Sequence, residues 1–199
     1  MTAAVGFRIK SGHAIAVALA GPSASPSVIL RSVVALSDPA IPQTKQPYHA
    51  GFGTAREDTD AVERLAAIVR RCAGASIDAL FANARLARSA CRGAALVVGS
   101  VIDPAQVGNP HIRAHASEGR LFREVVEEAL RSKSVEVSVI VEKALASEAV
   151  RRLDRTEAEI KAAVAALGRS VDGPWRADEK AAATAAWVAL ANYELGIEN

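Results

Sequence analysis

The sequence predicts an α/β protein. It reads as a three-strand antiparallel meander followed by alternating helices and strands, in one mixed five-stranded sheet flanked by helices. Three observations carry this. The chain opens with three apolar runs joined by short connections: AAVGFRIK (3–10), HAIAVALA (13–20) and SVILRSVVALS (27–37). Two later runs, AALVVGSVI (94–102) and SVEVSVIVE (134–142), also read as strands. Between and after them, apolar residues recur at helical spacing, giving the order β-β-β-α-β-α-β-α-α.

Each element has a local reason. Ser11-Gly12 is a turn signal between the first two strands, and Gly21-Pro22 with Pro26 separates the second from the third. A loop from Asp38 to about Gly53 follows, with Pro39, Pro42 and Pro47, and with Tyr48, His49 and Phe52 between glycines. Its length makes it a surface excursion held by one or two aromatic anchors. Thr54 or Asp58 caps a helix whose stripe runs through Val62, Leu65, Ile68, Val69 and Cys72, then Ile77, Leu80 and Phe81, to about Leu86. The run 94–102 is almost wholly apolar, as a central strand covered on both faces should be. Asn109-Pro110 opens a helix to about Arg131, residues 144–167 form one or two amphipathic helices, and a Gly-Pro turn before Trp175 leads to the last helix.

The 199 residues fit a single domain, residues 1–199. Half are apolar and only eight are aromatic, so the core is built from Ala, Val, Leu and Ile. The formal charge is +2, which neither demands nor excludes nucleic acid. Cys72 and Cys91 read as two reduced thiols of a cytoplasmic protein. No apolar run reaches the ~18 residues a membrane span needs. There is no Gly-x-Ser-x-Gly elbow, no Walker A loop and no dinucleotide fingerprint.

Three stretches carry a family resemblance: VGFRIKSGHAIAVAL, ALVVGSVIDPAQVGNPHIRAHASEGRLF and EIKAAVAALGRSVDGPWRADEKAAATAAWVALA. With the element order, they make the chain similar to the RNase H-like fold, and within it to RuvC-type Holliday-junction resolvases. The resemblance implies that acids from the first strand, the central strand and the last helix converge on two Mg²⁺ ions. Hard cations need such oxygen ligands, and two ions ~3.5–4 Å apart stabilise both the attacking and the leaving oxygen at phosphorus.

This chain departs from that pattern. The first-strand acid falls near Arg8 and the central-strand acid near Gly99 or Ser100. In the last helix Asp178 is in register, while the second acid falls on Ala181. Glu179 is adjacent to Asp178, but neighbours on a helix point ~100° apart. Both acids also suit a helix N-terminus, where carboxylates meet the positive end of the dipole.

The leading expectation is therefore a degenerate active site in a protein that binds nucleic acid or a protein partner without catalysis. Arg8, Lys10, Arg113, Arg120 and Arg123 are the candidate nucleic-acid contacts, for branched or duplex DNA. Alternatively, Arg8 pairs with Asp178 and fills the site. No cofactor or metal is expected on this reading. The rival is a structure-selective nuclease with a rearranged site of Asp178, Asp103 and Glu118, which would need Mg²⁺. A third reading is an assembly protein with no nucleic-acid role. Part of the stripe Leu145, Val150, Leu153, Ile160, Val164 and Leu167 would suit a homodimer contact.

His111 and His115 stand at i, i+4, with Glu118 three residues on, which is zinc-compatible spacing. Solvent-facing histidines are the plainer expectation. His13 and His49 have no evident partner in the sequence. Arg88 and Arg92 flank Cys91 and would activate an exposed thiol, but a buried structural cysteine is expected.

Overall fold

The computed structural model describes residues 1–51 and 53–196. β1 (Thr2–Lys10) and β2 (His13–Ala20) form a hairpin, and β3 (Ser27–Ala35) pairs antiparallel with β2. The long loop is less irregular than its composition suggests. It holds a 3₁₀ turn, Pro42–Lys45, and a small hairpin of β4 (His49–Gly51) and β5 (Thr54–Ala55). Tyr48 packs on the core, as an anchor should, while Phe52 lies outside the described residues.

Asp58, rather than Thr54, caps α1 (Thr59–Ala82) by accepting the Ala61 N–H at 2.9 Å. The expected run to Leu86 breaks at Asn83, whose side chain accepts the Arg85 N–H and starts the short α2 (Ala84–Ala87). β6 (Ala90–Val98) begins and ends four residues earlier than its apolar run. α3 (Pro110–Arg131) is capped by Asn109, which accepts from the N–H groups of His111 and Ile112. After β7 (Glu136–Val141) come α4 (Leu145–Leu153) and α5 (Glu157–Leu167). They are separated by Asp154, at φ 50°, and by a capping box between Thr156 and Glu159. α6 (Ala177–Glu194) closes the described chain.

The five-stranded sheet has the order β3-β2-β1-β6-β7, and β6 lies parallel to both β1 and β7. Alternation along β1 divides it between two cores. Val5, Phe7 and Ile9 face the layer of α1 and α3 with Val69, Ile77, Phe122 and Val126. Ala4 and its face mates Val17, Leu19, Ala95 and Val97 meet α6, with Ile160 and Val164 of α5 beyond. Of the stripe expected to suit a dimer contact, Ile160 and Val164 are buried, Leu145, Leu153 and Leu167 are partly buried and pack against this core, and Val150 is exposed. No helix among the described residues is long and apolar enough to cross a membrane.

The Ala-rich composition of α6 has a geometric cause. A Cβ on Gly6 would sit 1.9 Å from the Ala182 carbonyl oxygen, so the helix backbone rests directly on β1. Only Gly on the strand and small residues on the helix permit this approach.

Candidate functional site

The Gly6–Ala182 contact sets the register of the site. Two residues further along β1, on the same face and roughly 6.8 Å on, stands Arg8. One turn back along α6, about 6 Å from Ala182, stands Asp178. Strand and helix run in opposite directions, so the two side chains meet. Arg8 is buried, and its Nε lies 3.7 Å from Asp178 Oδ1. Lys10, next on that face, places Nζ 3.0 Å from the same oxygen.

A fourth charge completes the group. Glu142, just after β7, receives Arg8 Nη2 at 2.5 Å. Arg8 Nη1 points toward the Ile9 and Val97 carbonyl oxygens, both at 3.4 Å. Its Nε has an ion-pair neighbour but no hydrogen-bond acceptor, and so stays unsatisfied. Two cations thus face two carboxylates at the carboxyl ends of β1, β6 and β7, the usual edge for a site in a sheet with parallel strands.

Glu179 is not part of this group. It is buried, receives Arg31 Nη2 at 2.6 Å and caps the Arg176 N–H at 2.9 Å. Burial pushes its carboxyl up, but the bonds from Arg31 and from backbone N–H groups pull harder, leaving it below the ordinary range. The adjacent acids therefore serve separate partners.

The remaining site candidates have other partners. Asp103 lies after β6, accepts the Ala105 N–H at 3.1 Å and stands 3.8 Å from Arg120. It shares no ion-pair partner with Asp178. Arg120 also binds Glu124 at 2.7 Å. Arg113 donates to the carbonyl oxygens of Val107 and Gly108, pinning the preceding loop to α3. Arg123 faces Glu124 and Glu127. Cys91 is half-buried, and burial pushes its thiol up to about 12, which opposes a nucleophilic role.

The donor set does not fit a pair of Mg²⁺ ions. Asp178 and Glu142 are present, but guanidinium and ammonium groups already stand against them, and Gly99 and Ser100 bring no carboxylate.

A second constellation adjoins the first. A cleft of about 300 Å³ runs from Arg8, Lys10 and Ser11 across Gly99 and Ser100 to His115 and Glu118. Glu118, one of the most buried charged residues, receives His49 Nδ1 at 2.7 Å. Burial pushes its carboxyl above the ordinary value, opposed in part by the bond from His49. His49 Nε2 lies 3.2 Å from His111 Nδ1, and the His115 ring centroid is 4.4 Å from that of His49. The hairpin delivering His49 is clamped by Arg56, which donates to the carbonyl oxygens of Pro47 and His49. His111 and His115 are therefore not simply solvent-facing, and His49 has three neighbours that sequence reasoning missed. One signal was available: Glu118 stands on the apolar stripe of α3, with Ala114, Leu121, Phe122 and Val125.

Among solved structures, that of Thermus thermophilus RuvC superposes over 98% of this chain and 98% of its own, with a TM-score of 0.60 and 12% identity. The fold is RuvC-like. T. thermophilus RuvC in complex with Holliday junction substrate matches at 11% identity and TM-score 0.60, covering 99% of this chain and 98% of that one. No protein-family model and no curated protein sequence matches the chain. The RNase H-like α/β architecture expected from the element order is thus borne out.

Proposed function

We infer that this chain is a non-cleaving RuvC-like protein that binds nucleic acid at the edge where β1, β6 and β7 end. The observation that carries the reading is Arg8. It takes the place of an acid in the RuvC-type pattern and stands between Asp178 and Glu142 with one of the positive charges that metal ions would otherwise supply. The group is electrically balanced without a metal, because Lys10 provides the second positive charge. Metal-assisted in-line attack on a phosphodiester needs free carboxylates to hold the ions, and here both carboxylates already face cations.

Binding is favoured over a purely structural role by two features. The whole chain shares its fold with a protein whose structure contains a Holliday junction. The adjoining cleft offers Lys10, Ser11 and Ser100 as donors, the usual groups for phosphate contacts. Fluorescence anisotropy with labelled four-way junction, duplex and single-stranded DNA tests this across salt concentrations. Binding should weaken as salt rises, with log K falling linearly against log salt, and Lys10→Gln should lower that slope by about 1. Absence of binding to all three substrates at low salt would overturn the nucleic-acid reading.

A further inference from the structure

We propose that His49, His111 and His115 form a binding site for one first-row divalent transition metal ion of the zinc class, with Glu118 orienting His49 from behind. The site is separate from the Arg8–Asp178 group and does not rest on nucleic-acid binding.

The geometry suits the ion. One ligand nitrogen from each ring lies within 4.8 Å of the other two. Nitrogens bound to a tetrahedral ion at ~2.0–2.1 Å stand about 3.3 Å apart. His49 Nε2 and His111 Nδ1, at 3.2 Å, already have that spacing. Closing the set requires His115 to move by at most about 1.5 Å, given Zn–N bonds of ~2.0–2.1 Å. His115 has room to make them, since its side chain is 53% exposed.

The support around the rings has the form found behind metal-bound histidines. A ligating imidazole usually gives its other N–H to a carboxylate, which fixes the tautomer and raises the basicity of the ligating nitrogen. Glu118 Oε1 meets His49 Nδ1 at 2.7 Å with both side chains buried. Donation from Nδ1 leaves Nε2 with a lone pair aimed at His111. The i, i+4 spacing presents His111 and His115 on one face of α3, and Arg56 holds the His49 backbone in place. Three imidazoles select zinc, copper, nickel or cobalt over Mg²⁺ and Ca²⁺, which prefer oxygen. A three-histidine set also leaves a fourth position open to water or another ligand. Bound metal would tie the 49–55 hairpin to α3.

The test uses the full chain without a polyhistidine tag, stripped with chelator. Zn²⁺ is titrated against a chromophoric competitor, and Co²⁺ is followed by its visible absorption. One equivalent of Zn²⁺ should bind, and Co²⁺ should give an intense tetrahedral spectrum displaced by Zn²⁺ but not by Mg²⁺. Glu118→Gln should weaken Zn²⁺ affinity about 10- to 100-fold. His111→Ala and His115→Ala, at the half-buried and the exposed position of the cluster, should keep the native circular dichroism and lose the Co²⁺ spectrum. His13→Ala, on the β1–β2 hairpin, should bind as the native chain does. Zn²⁺ binding well below one equivalent would overturn the proposal. So would His111→Ala and His115→Ala variants that bind like the native chain, because the rings would then be only a hydrogen-bonded histidine cluster.

Discussion

Arg8 and Asp178 face each other across 3.7 Å where β1 meets the first turn of α6. The pairing follows from a backbone contact two residues away, since Gly6 lets Ala182 lie against the strand and so fixes which α6 residue reaches Arg8. Asp178 and Glu142 are partly exposed, at 38% and 55% of their side chains, whereas Arg8 is at 7%. The cation is therefore the group that most needs its partners. Asp178→Ala should destabilise the fold by about 1–2 kcal/mol in urea denaturation, because a buried guanidinium loses a counter-charge. A variant as stable as the native chain would mean that Glu142 alone neutralises Arg8.

Gly6→Ala should be far more costly. The added methyl would meet the backbone of Ala182 and Ala186, which cannot turn aside as a side chain would. A loss above about 3 kcal/mol, or failure to fold, is expected. Thermal melts of Gly6→Ala beside Gly119→Ala, where a Cβ meets nothing within 4 Å, check this directly.

Glu179 predicts a specific acid response. Its folded-state value lies below the ordinary 4.5, so its bond to Arg31 contributes fully above that pH and fades as pH falls through the lower folded value. The stability gap between the native chain and Glu179→Gln should be constant above about pH 5.5 and should shrink below about pH 4.5. A gap that widens on acidification would contradict the assignment.

The thiols should be slow to react. With its thiol at about 12, Cys91 is on the order of 10⁻⁴ thiolate at pH 8. Burial also raises Cys72. Thiol titration of the native chain at pH 8 should be slow for both residues, and it should become rapid for both in denaturant.

Much of the fold was legible because period-2 and period-3.6 patterns leave separate marks. The β1–β2–β3 meander and the helices around Val69, Val126 and Ile160 follow from them. The end of β6 was not legible. The run AALVVGSVI continues apolar through Val101 and Ile102, yet both are exposed. Strand length is set by the partner: β1 ends at Lys10, and its last pairing with β6 is Arg8 to Val97. Within the site, Arg8 and Asp178 were found through the resemblance, whereas Glu142 has no local signature after β7. His49 and Glu118 are 69 residues apart, and only the tertiary course of the 38–55 loop brings them together.

On the proposed function, the Arg8–Asp178–Glu142 group stands where metal ions would otherwise bind. The most direct measurement incubates the purified chain with a labelled four-way junction in Mg²⁺ and in Mn²⁺ and resolves the strands on a denaturing gel. Intact strands are predicted in both ions, at protein concentrations that saturate the junction. Symmetric, metal-dependent cleavage that disappears in Asp178→Ala would contradict the account.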